Sequence, residues 1–253
     1  TSSGCDWSSD VCSSDLVGGG QGSQIGFAHR AGSVMDGKFQ FIAGAMDIDP
    51  QKAVAFGIAQ GLDKKRCYGD WQEMLEKEKN RVDRVQLVTV ATPNATHHQI
   101  SKVFMEAGFH VLCEKPMTMT VEEARDLVEI SKKTGQICAV NYGYTGYPMV
   151  RQIRSMVANG DLGAIRVVVA EFAGGFMADA KDDGNPRVRW RFDPTQAGMA
   201  AVTVDCGIHA LHMACFVTGQ KVTSVSSDFG HGIKRRQLED DNLSAFRMSQ
   251  GTI

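Results

Sequence analysis

The sequence of 253 residues contains no apolar run that approaches the ~18 residues of a membrane-spanning helix, and neither sign of charge is in clear excess. The net charge of -2 excludes a protein that binds nucleic acid mainly through electrostatic attraction. None of the seven cysteines belongs to a CxxC pair, which argues against a disulfide or zinc framework. The 43% apolar and 22% charged residues exclude disorder and a fibrous repeat. We therefore expect a soluble, cytoplasmic protein with one large domain or two of ordinary size.

Residues 1–16 (TSSGCDWSSDVCSSDL) lack the basic start and the apolar stretch of a secretory signal. The segment has six serines, three aspartates and no lysine or arginine, so one interpretation is a disordered tail. The other interpretation, which we favour, is that DWSSDVCSSDL is the translation of a sequencing-library adapter. We treat 1–16 as a non-native or disordered leader. The rest of the chain has 27 basic and 26 acidic residues and five scattered cysteines.

From residue 17 onward, the spacing of apolar, turn-forming and capping residues is that of alternating strands and helices. The patterns predict helices at 24–35, 50–59, 71–79, 97–107 and 121–135, and strands at 39–50, 85–92, 110–116 and 137–143. The run VQLVTVAT is continuously apolar and β-branched, which is typical of a strand that is buried on both faces of a parallel sheet. The alternation with short loops predicts an α/β fold, a Rossmann-type doubly wound parallel sheet.

The character of the chain changes after residue 143, where we place a domain boundary. Later patterns predict helices at 148–159 and 203–217 and strands at 165–174, 222–229 and 242–248, with a polar stretch at 178–194. Only two residues follow the last turn, so we expect 144–253 to be an incomplete α+β open-sheet domain.

The first domain, 17–143, is also expected to be incomplete, at its N-terminal end. Only Leu16 and Val17 are apolar before the glycine-rich segment, and the leader could supply a central strand only by burying Asp15 or serines, at a cost of a few kcal/mol. We therefore expect the first strand to be missing.

The glycine-rich segment from Gly18 to Ser23 has the pattern G-x-G-x-x-S, one departure from a dinucleotide-binding fingerprint. The candidate cofactor-binding residues of this loop are Gly18, Gly20, Gln21, Gly22 and Ser23. Gly18 suits the tight turn, Gly20 lets the backbone approach a pyrophosphate, and Ser23 is small enough for helix–strand packing. Asp47 ends the next strand, where its carboxylate can bind a ribose hydroxyl and repel a 2′-phosphate. The pattern thus favours NAD, with NADP as the alternative, although glycine clusters and acids also occur in plain loops and caps.

Two further motifs stand at the ends of strands, where a doubly wound sheet binds its ligands. They are Thr92-Pro93-Asn94, followed by His97, and Glu114-Lys115-Pro116. The first also fits a proline turn in which Asn94 or Thr96 caps a helix. Lysines usually lie at the solvated surface, but at this edge Lys115 is a candidate donor to a substrate oxygen.

Asp205 and His209 are four residues apart in the predicted helix 203–217, so they share one face about a turn apart. A histidine beside a carboxylate can exchange protons with a hydroxyl near neutral pH. A capped helix with a buried histidine is the structural alternative. Asp205, His209 and His212 could also form part of a metal site, but no second acidic or cysteine cluster completes one, so we expect no metal.

The glycine loop, TPNxxH (92–97), EKP (114–116) and DxGxH (205–209) occur in an order and spacing that resemble the Gfo/Idh/MocA oxidoreductases. The segments NYGYTGYPMVRQ (141–152) and WRFDP (190–194) support the resemblance, which covers nearly all of 17–253. It implies a Rossmann domain, a C-terminal α+β domain whose open sheet often serves oligomerisation, and hydride transfer between a nicotinamide cofactor and a sugar, cyclitol or related polyol.

The resemblance also assigns roles to individual residues. It implies that Lys115 contacts the reacting oxygen, that Asp205 and His209 form the acid/base pair, and that Pro93, Asn94 and Glu114 lie along the cofactor. We expect a small-molecule partner, a homo-oligomer in the full-length parent, and neither nucleic acid nor membrane as a partner. The alternative function is a non-catalytic nucleotide-binding sensor or regulator on the same fold. The substrate itself is not readable from the sequence.

Overall fold

The computed structural model describes residues 11–175, 177–185 and 188–253. The chain divides into two compact units, one that ends at Asn141 and one that begins at Tyr142, close to the boundary expected at 143. Residues 1–10 of the expected leader lie outside the described residues. Within the described ranges, no helix has the length and apolar character needed to cross a membrane.

The first unit is built on one sheet of five parallel strands. The strands are β1 (Cys12–Gly18), β2 (Phe39–Ala45), β3 (Leu87–Ala91), β4 (His110–Glu114) and β5 (Cys138–Asn141), in the spatial order β2-β1-β3-β4-β5. This is the predicted Rossmann-type sheet. Because all the strands run in the same direction, their carboxyl ends, and the motifs that follow them, lie along one edge.

The helices of this unit begin and end where their sequences predict. They are α1 (Gln24–Val34), α2 (Pro50–Ala59), α3 (Trp71–Glu78), α4 (His97–Glu106) and α5 (Val121–Thr134). Thr120 and Glu123 form the predicted capping box of α5, and the left-handed Gly135 ends it. Helices α3, α4 and α5 contribute to the main core, in which Met74, Phe104 and Leu127 are fully buried.

The expectation that the first strand is missing is wrong. Residues 12–18 pair with β2 on one side and β3 on the other, so β1 is an interior strand of the sheet and includes part of the expected leader. The reason is that the parallel ladder is made by backbone groups, which do not depend on side-chain type. The serines are also accommodated, because Ser13 Oγ donates to the Arg84 carbonyl at 3.2 Å and Ser14 Oγ to the Gln40 carbonyl at 3.3 Å.

The cost of this strand is concentrated at Asp15. Its side chain is buried, and neither carboxylate oxygen has a hydrogen-bond partner among the described residues. Burial, reinforced by the negative charge of Glu78, raises the pKa of Asp15 well above its ordinary value. Burial at this position therefore disfavours the ionised form of Asp15.

The second unit combines helices with a two-stranded antiparallel sheet. Its elements are α6 (Pro148–Asn159), α7 (Pro194–Ala197), a π-helical turn (Thr203–Gly207), α8 (Ile208–Thr218), β6 (Val222–Gly230) and β7 (Asp241–Met248). The strand predicted at 165–174 does not form. Among the described residues, its backbone hydrogen bonds include Val168 N–H to the Ile253 carbonyl and Ile253 N–H to the Arg166 carbonyl, at 2.9 and 3.1 Å. A β-branched run becomes a strand only where a partner strand is available.

Candidate active site

The glycine loop after β1 is shaped by close backbone contacts. Gly18 has a φ of +79°, and a Cβ at this position would lie 2.5 Å from the Ala91 carbonyl oxygen. At Gly20, a Cβ would lie 1.9 Å from the carbonyl oxygen of Met46, at the end of β2. The glycines therefore let the loop pass directly over the ends of β2 and β3, whereas Gln21 and Gly22 form an exposed turn.

The third small position of the loop is Gly26, and the expectation for Ser23 has to be corrected. Ser23 is the N-cap of α1, because its hydroxyl accepts the Gly26 N–H at 3.1 Å. A Cβ on Gly26 would lie 1.7 Å from the Gly19 carbonyl oxygen, so Gly26 makes the close helix–loop contact that was assigned to Ser23. The sequence signal was a glycine inside an otherwise regular helix, which often marks close packing.

Asp47 follows β2 beside the glycine loop. One of its carboxylate oxygens accepts the Asp49 N–H at 2.9 Å. The other lies 3.7 Å from the place a Cβ would take on Gly20. The cap of α2 is Asp49, whose side chain accepts the Gln51 and Lys52 N–H groups. Asp47 is thus free of the capping role and faces the loop.

His97 lies under the strand-end loops rather than in their open face. Its ring is buried, with Nδ1 2.7 Å from the Pro116 carbonyl oxygen and Nε2 2.9 Å from the Thr92 carbonyl oxygen. Burial lowers the pKa of His97, although the two carbonyl groups oppose this. The side chain therefore ties the loop after β3 to the loop after β4. Asn94 is also buried, whereas Thr92 and Pro93 are partly exposed at the same edge.

The Glu114 carboxylate has three hydrogen-bonding partners at this edge. One of its oxygens is 2.7 Å from His29 Nε2 and accepts the Asn141 side-chain N–H at 2.6 Å, and the other accepts the Lys115 N–H at 3.2 Å. Burial raises the pKa of Glu114, but the contacts with His29 and Asn141 outweigh it, so the pKa is lowered from its usual value. Glu114 is therefore an anionic anchor beside the half-buried Lys115. Sequence reasoning missed His29 and Asn141.

The residues at this edge fit a dinucleotide cofactor. A Cβ on Gly18, Gly19 or Gly20 would clash with the backbone of the neighbouring segments. The loop leads into the N-terminus of α1, where backbone N–H groups favour an anionic group. Asp47 stands beside Gly20, where an acid binds a ribose. Thr92, Pro93, Asn94 and Glu114 follow the next strands along the same edge. We expect the pyrophosphate at the glycine loop and the ribose at Asp47.

In the second unit, Asp205 belongs to the π-helical turn that precedes α8. The Glu239 carboxylate is buried and accepts the Ala201 N–H at 2.9 Å and the Thr203 N–H at 2.8 Å, which fixes the start of this turn. Arg191 Nε donates to Asp205 Oδ2 at 3.1 Å. A π-helical turn inside a helix is frequent at functional sites. Neither this ion pair nor the π-helical geometry was anticipated from sequence.

His209 lies in the first turn of α8 among aromatic rings. Its ring meets Tyr144 edge-on at 4.7 Å between centroids and lies 5.8 Å from Phe172 at a low angle of 21°. His212 instead stacks on Tyr142, with centroids 3.7 Å apart, and burial lowers its pKa. No group of three histidine, cysteine or acidic side chains that could hold a metal occurs within the described ranges, so the structure gives no support to the metal reading.

Family models match both units. A model described as "Oxidoreductase family, NAD-binding Rossmann fold" matches residues 16–142, and one described as "GFO/IDH/MocA C-terminal domain" matches 150–253. Among characterised proteins, the scyllo-inositol 2-dehydrogenase (NAD(+)) of Bacillus subtilis is 29% identical over 184 residues, which is 73% of this chain and 48% of that protein.

Other relatives cover more of the chain. The oxidoreductase YfiI of Bacillus subtilis is 41% identical over 230 residues, 90% of this chain and 58% of its own length. The crystal structure of an inositol dehydrogenase homolog from Azotobacter vinelandii, complexed with NAD+, has a TM-score of 0.93 and 38% identity, and covers 96% of this chain and 63% of that one. The chain therefore spans about three fifths of these two relatives.

Proposed function

The chain belongs to the Gfo/Idh/MocA oxidoreductase family, and we propose that the protein transfers a hydride between a nicotinamide cofactor and a sugar, cyclitol or related polyol. The observation that carries this proposal is that two chemical groupings coexist in one chain. The first unit has a glycine loop with Asp47, Glu114 and Lys115 at strand ends, and the second has Asp205 and His209 within one turn. When bound, NAD supplies the hydride chemistry.

Proton transfer is the part of the reaction that the side chains must perform. A secondary alcohol is a very weak acid, so loss of its hydride requires the hydroxyl proton to leave in concert. We assign this proton to the imidazole of His209, because an imidazole can both accept and release a proton in general acid–base catalysis. The edge-on contact with Tyr144 and the packing of Phe172 restrict the ring orientation.

Asp205 orients the ring and stabilises the imidazolium in this proposal. Its ion pair with Arg191 holds the carboxylate in one place, so that less conformational entropy is lost when the reacting groups are aligned. The ammonium of Lys115 stabilises the negative charge that develops on the substrate oxygen. Lys115 is placed by a backbone N–H that donates to Glu114, which limits the movement of its main chain.

We propose NAD rather than NADP as the cofactor on the position of Asp47. The 2′-phosphate of NADP would be repelled by this carboxylate, because the Asp47 oxygen that does not accept the Asp49 N–H faces the glycine loop. We also propose that the protein is cytoplasmic and that its full-length parent is a homo-oligomer. The second proposal is supported by Val225, Phe229 and Leu243 of the β6–β7 sheet, which are exposed apolar side chains in the single chain.

A cofactor and substrate screen tests the proposal. The purified protein is incubated with NAD+ or NADP+ and a panel of cyclitols, aldoses and acyclic polyols, and formation of the reduced nicotinamide is followed by absorbance. We expect reduction of NAD+ with at least one cyclic polyol. We expect Lys115→Met and His209→Ala each to lower kcat by orders of magnitude with little change in the Kd for NADH. Unchanged turnover in both variants would contradict the assigned roles, and tight NADH binding without any turnover would indicate a non-catalytic nucleotide-binding protein.

A further inference from the structure

His29 has no role in the chemistry described above, yet its ring lies within hydrogen-bond distance of the Glu114 carboxylate. It lies on α1, the helix that follows the glycine loop. Its Nε2 atom is 2.7 Å from Glu114 Oε1, and the two side chains are only 11% and 9% exposed. A contact of this length between buried groups is a strong, charge-assisted hydrogen bond.

The carboxylate of Glu114 joins three elements of the first unit. His29 reaches it from α1, Asn141 reaches the same oxygen from the end of β5 at 2.6 Å, and the second oxygen accepts the N–H of Lys115 at 3.2 Å. The carboxylate thus receives donors from the cofactor-side helix, from a neighbouring strand and from the next residue of its own chain. If His29 is lost, Glu114 has one fixed partner fewer and can turn away from Lys115.

We propose that His29 is a positioning residue, which holds the Glu114 carboxylate and through it the main chain of Lys115. The inference rests on the proposed function, in which Lys115 stabilises charge on the substrate oxygen. His29 itself contacts Glu114, and its effect on the reaction is indirect. Its hydrogen bond is part of what keeps Glu114 anionic in spite of burial, because this contact and that of Asn141 oppose the rise in pKa that burial causes.

Two substitutions at His29 separate this role from simple packing. His29→Leu removes the donor and keeps an apolar side chain of similar size, and His29→Gln keeps an N–H donor near the position of Nε2. The matched control is His98→Leu, because His98 Nε2 lies 2.8 Å from Asp126 in a contact between α4 and α5 that does not involve Glu114. All three variants are made in the full chain, and their unfolding in urea is measured first.

The first readout does not require activity. In the protein without cofactor, the backbone ¹H–¹⁵N resonance of Lys115 should shift in His29→Leu, return towards its original position in His29→Gln, and stay unchanged in His98→Leu. The second readout uses NAD+ and the polyol found in the screen. His29→Leu should lower kcat about tenfold or more, the equivalent of losing a hydrogen bond to a charged group. The KM for the polyol and the Kd for NADH should change less than about threefold, and His29→Gln should restore most of kcat.

The outcomes distinguish the inference from the function on which it rests. An unmoved Lys115 resonance in His29→Leu, or a loss of kcat that His29→Gln does not restore, would overturn the positioning role. If the unsubstituted protein transfers no hydride from any polyol, the proposed function fails, and the comparison of Lys115 resonances between His29→Leu and His98→Leu still decides whether His29 sets the position of Lys115.

Discussion

Replacing Asp15 with valine should stabilise the protein, even though Asp15 lies in the centre of the sheet. Its carboxyl group is 2% exposed, and neither oxygen is hydrogen-bonded to any described residue. β1 is flanked by β2 and β3, so water cannot approach Asp15 from the side. An unsatisfied acid at this position works against folding, whereas a β-branched apolar side chain suits a buried parallel strand.

The size of the effect follows from two contributions. Removing a buried polar group that has no partner gains about 1–3 kcal/mol. Burying a valine side chain in its place contributes about 1.5–3 kcal/mol. Since valine and aspartate are similar in size, little is lost to strain, and we expect Asp15→Val to raise the free energy of unfolding by about 3–5 kcal/mol.

The pH dependence gives a second, independent signature. The unfolded chain titrates Asp15 near its ordinary pKa of about 3.9, and burial raises the pKa in the folded state. The folded protein therefore binds this proton more tightly, so the stability it provides is complete at low pH and is lost as the pH rises from about 4 through the folded pKa. The advantage of Asp15→Val over the parent should grow across that range.

Urea unfolding followed by circular dichroism at several pH values measures both effects. Asp36→Val, at an exposed aspartate whose side chain accepts the Lys38 N–H, is the matched control and should change stability by less than about 1 kcal/mol. An Asp15→Val variant that is no more stable than the parent, or whose advantage does not change with pH, would refute the reasoning.

Four other substitutions test further points. Gly26→Ala should destabilise the protein by several kcal/mol and weaken NADH binding, because its Cβ would lie 1.7 Å from a carbonyl oxygen, whereas Gly32→Ala, with nothing within 4 Å, should stabilise α1 by up to about 1 kcal/mol. Arg66→Met should lower the free energy of unfolding by about 3–5 kcal/mol, since it leaves the fully buried carboxylate of Glu78 without its bidentate partner. Arg191→Met should lower kcat with little change in NADH affinity, because it removes the ion pair that holds the Asp205 carboxylate. Stability data, NADH titrations and steady-state kinetics separate these outcomes.

The elements of the first unit were predictable where local signals agree. The α5 helix has a capping box at its start and a glycine at its end, and the VQLVTVAT run has the continuous apolar pattern of a buried strand. β1 was not predictable, because two serines and an aspartate precede its buried Leu16 and Val17, and its pairing with both neighbours is made by backbone groups. For the segment 165–174 the error was the reverse: its apolar pattern predicts a strand, but no strand forms because no partner strand pairs with it among the described residues.

The candidate site shows the same limit. The motifs located Glu114, Lys115, Asp205 and His209 because each stands at a strand end or in a recognisable spacing. Contacts between residues far apart in sequence carried no such signal. His29 and Glu114 are 85 residues apart, and no local pattern reports their 2.7 Å contact. Arg191 lies 14 residues before Asp205, in a polar stretch whose composition predicts only exposure to solvent.

Deuterium transfer measures the central claim most directly. The protein is incubated with NAD+ and myo-inositol or glucose that carries deuterium on its ring carbons, and the reduced cofactor is analysed by mass spectrometry. The account predicts one deuterium per NADH formed by the unsubstituted protein and almost none with His209→Ala or Lys115→Met, although all three bind NADH. Deuterium transfer that persists in both variants, or NADH binding without any transfer from these and the other polyols of the panel, would contradict it.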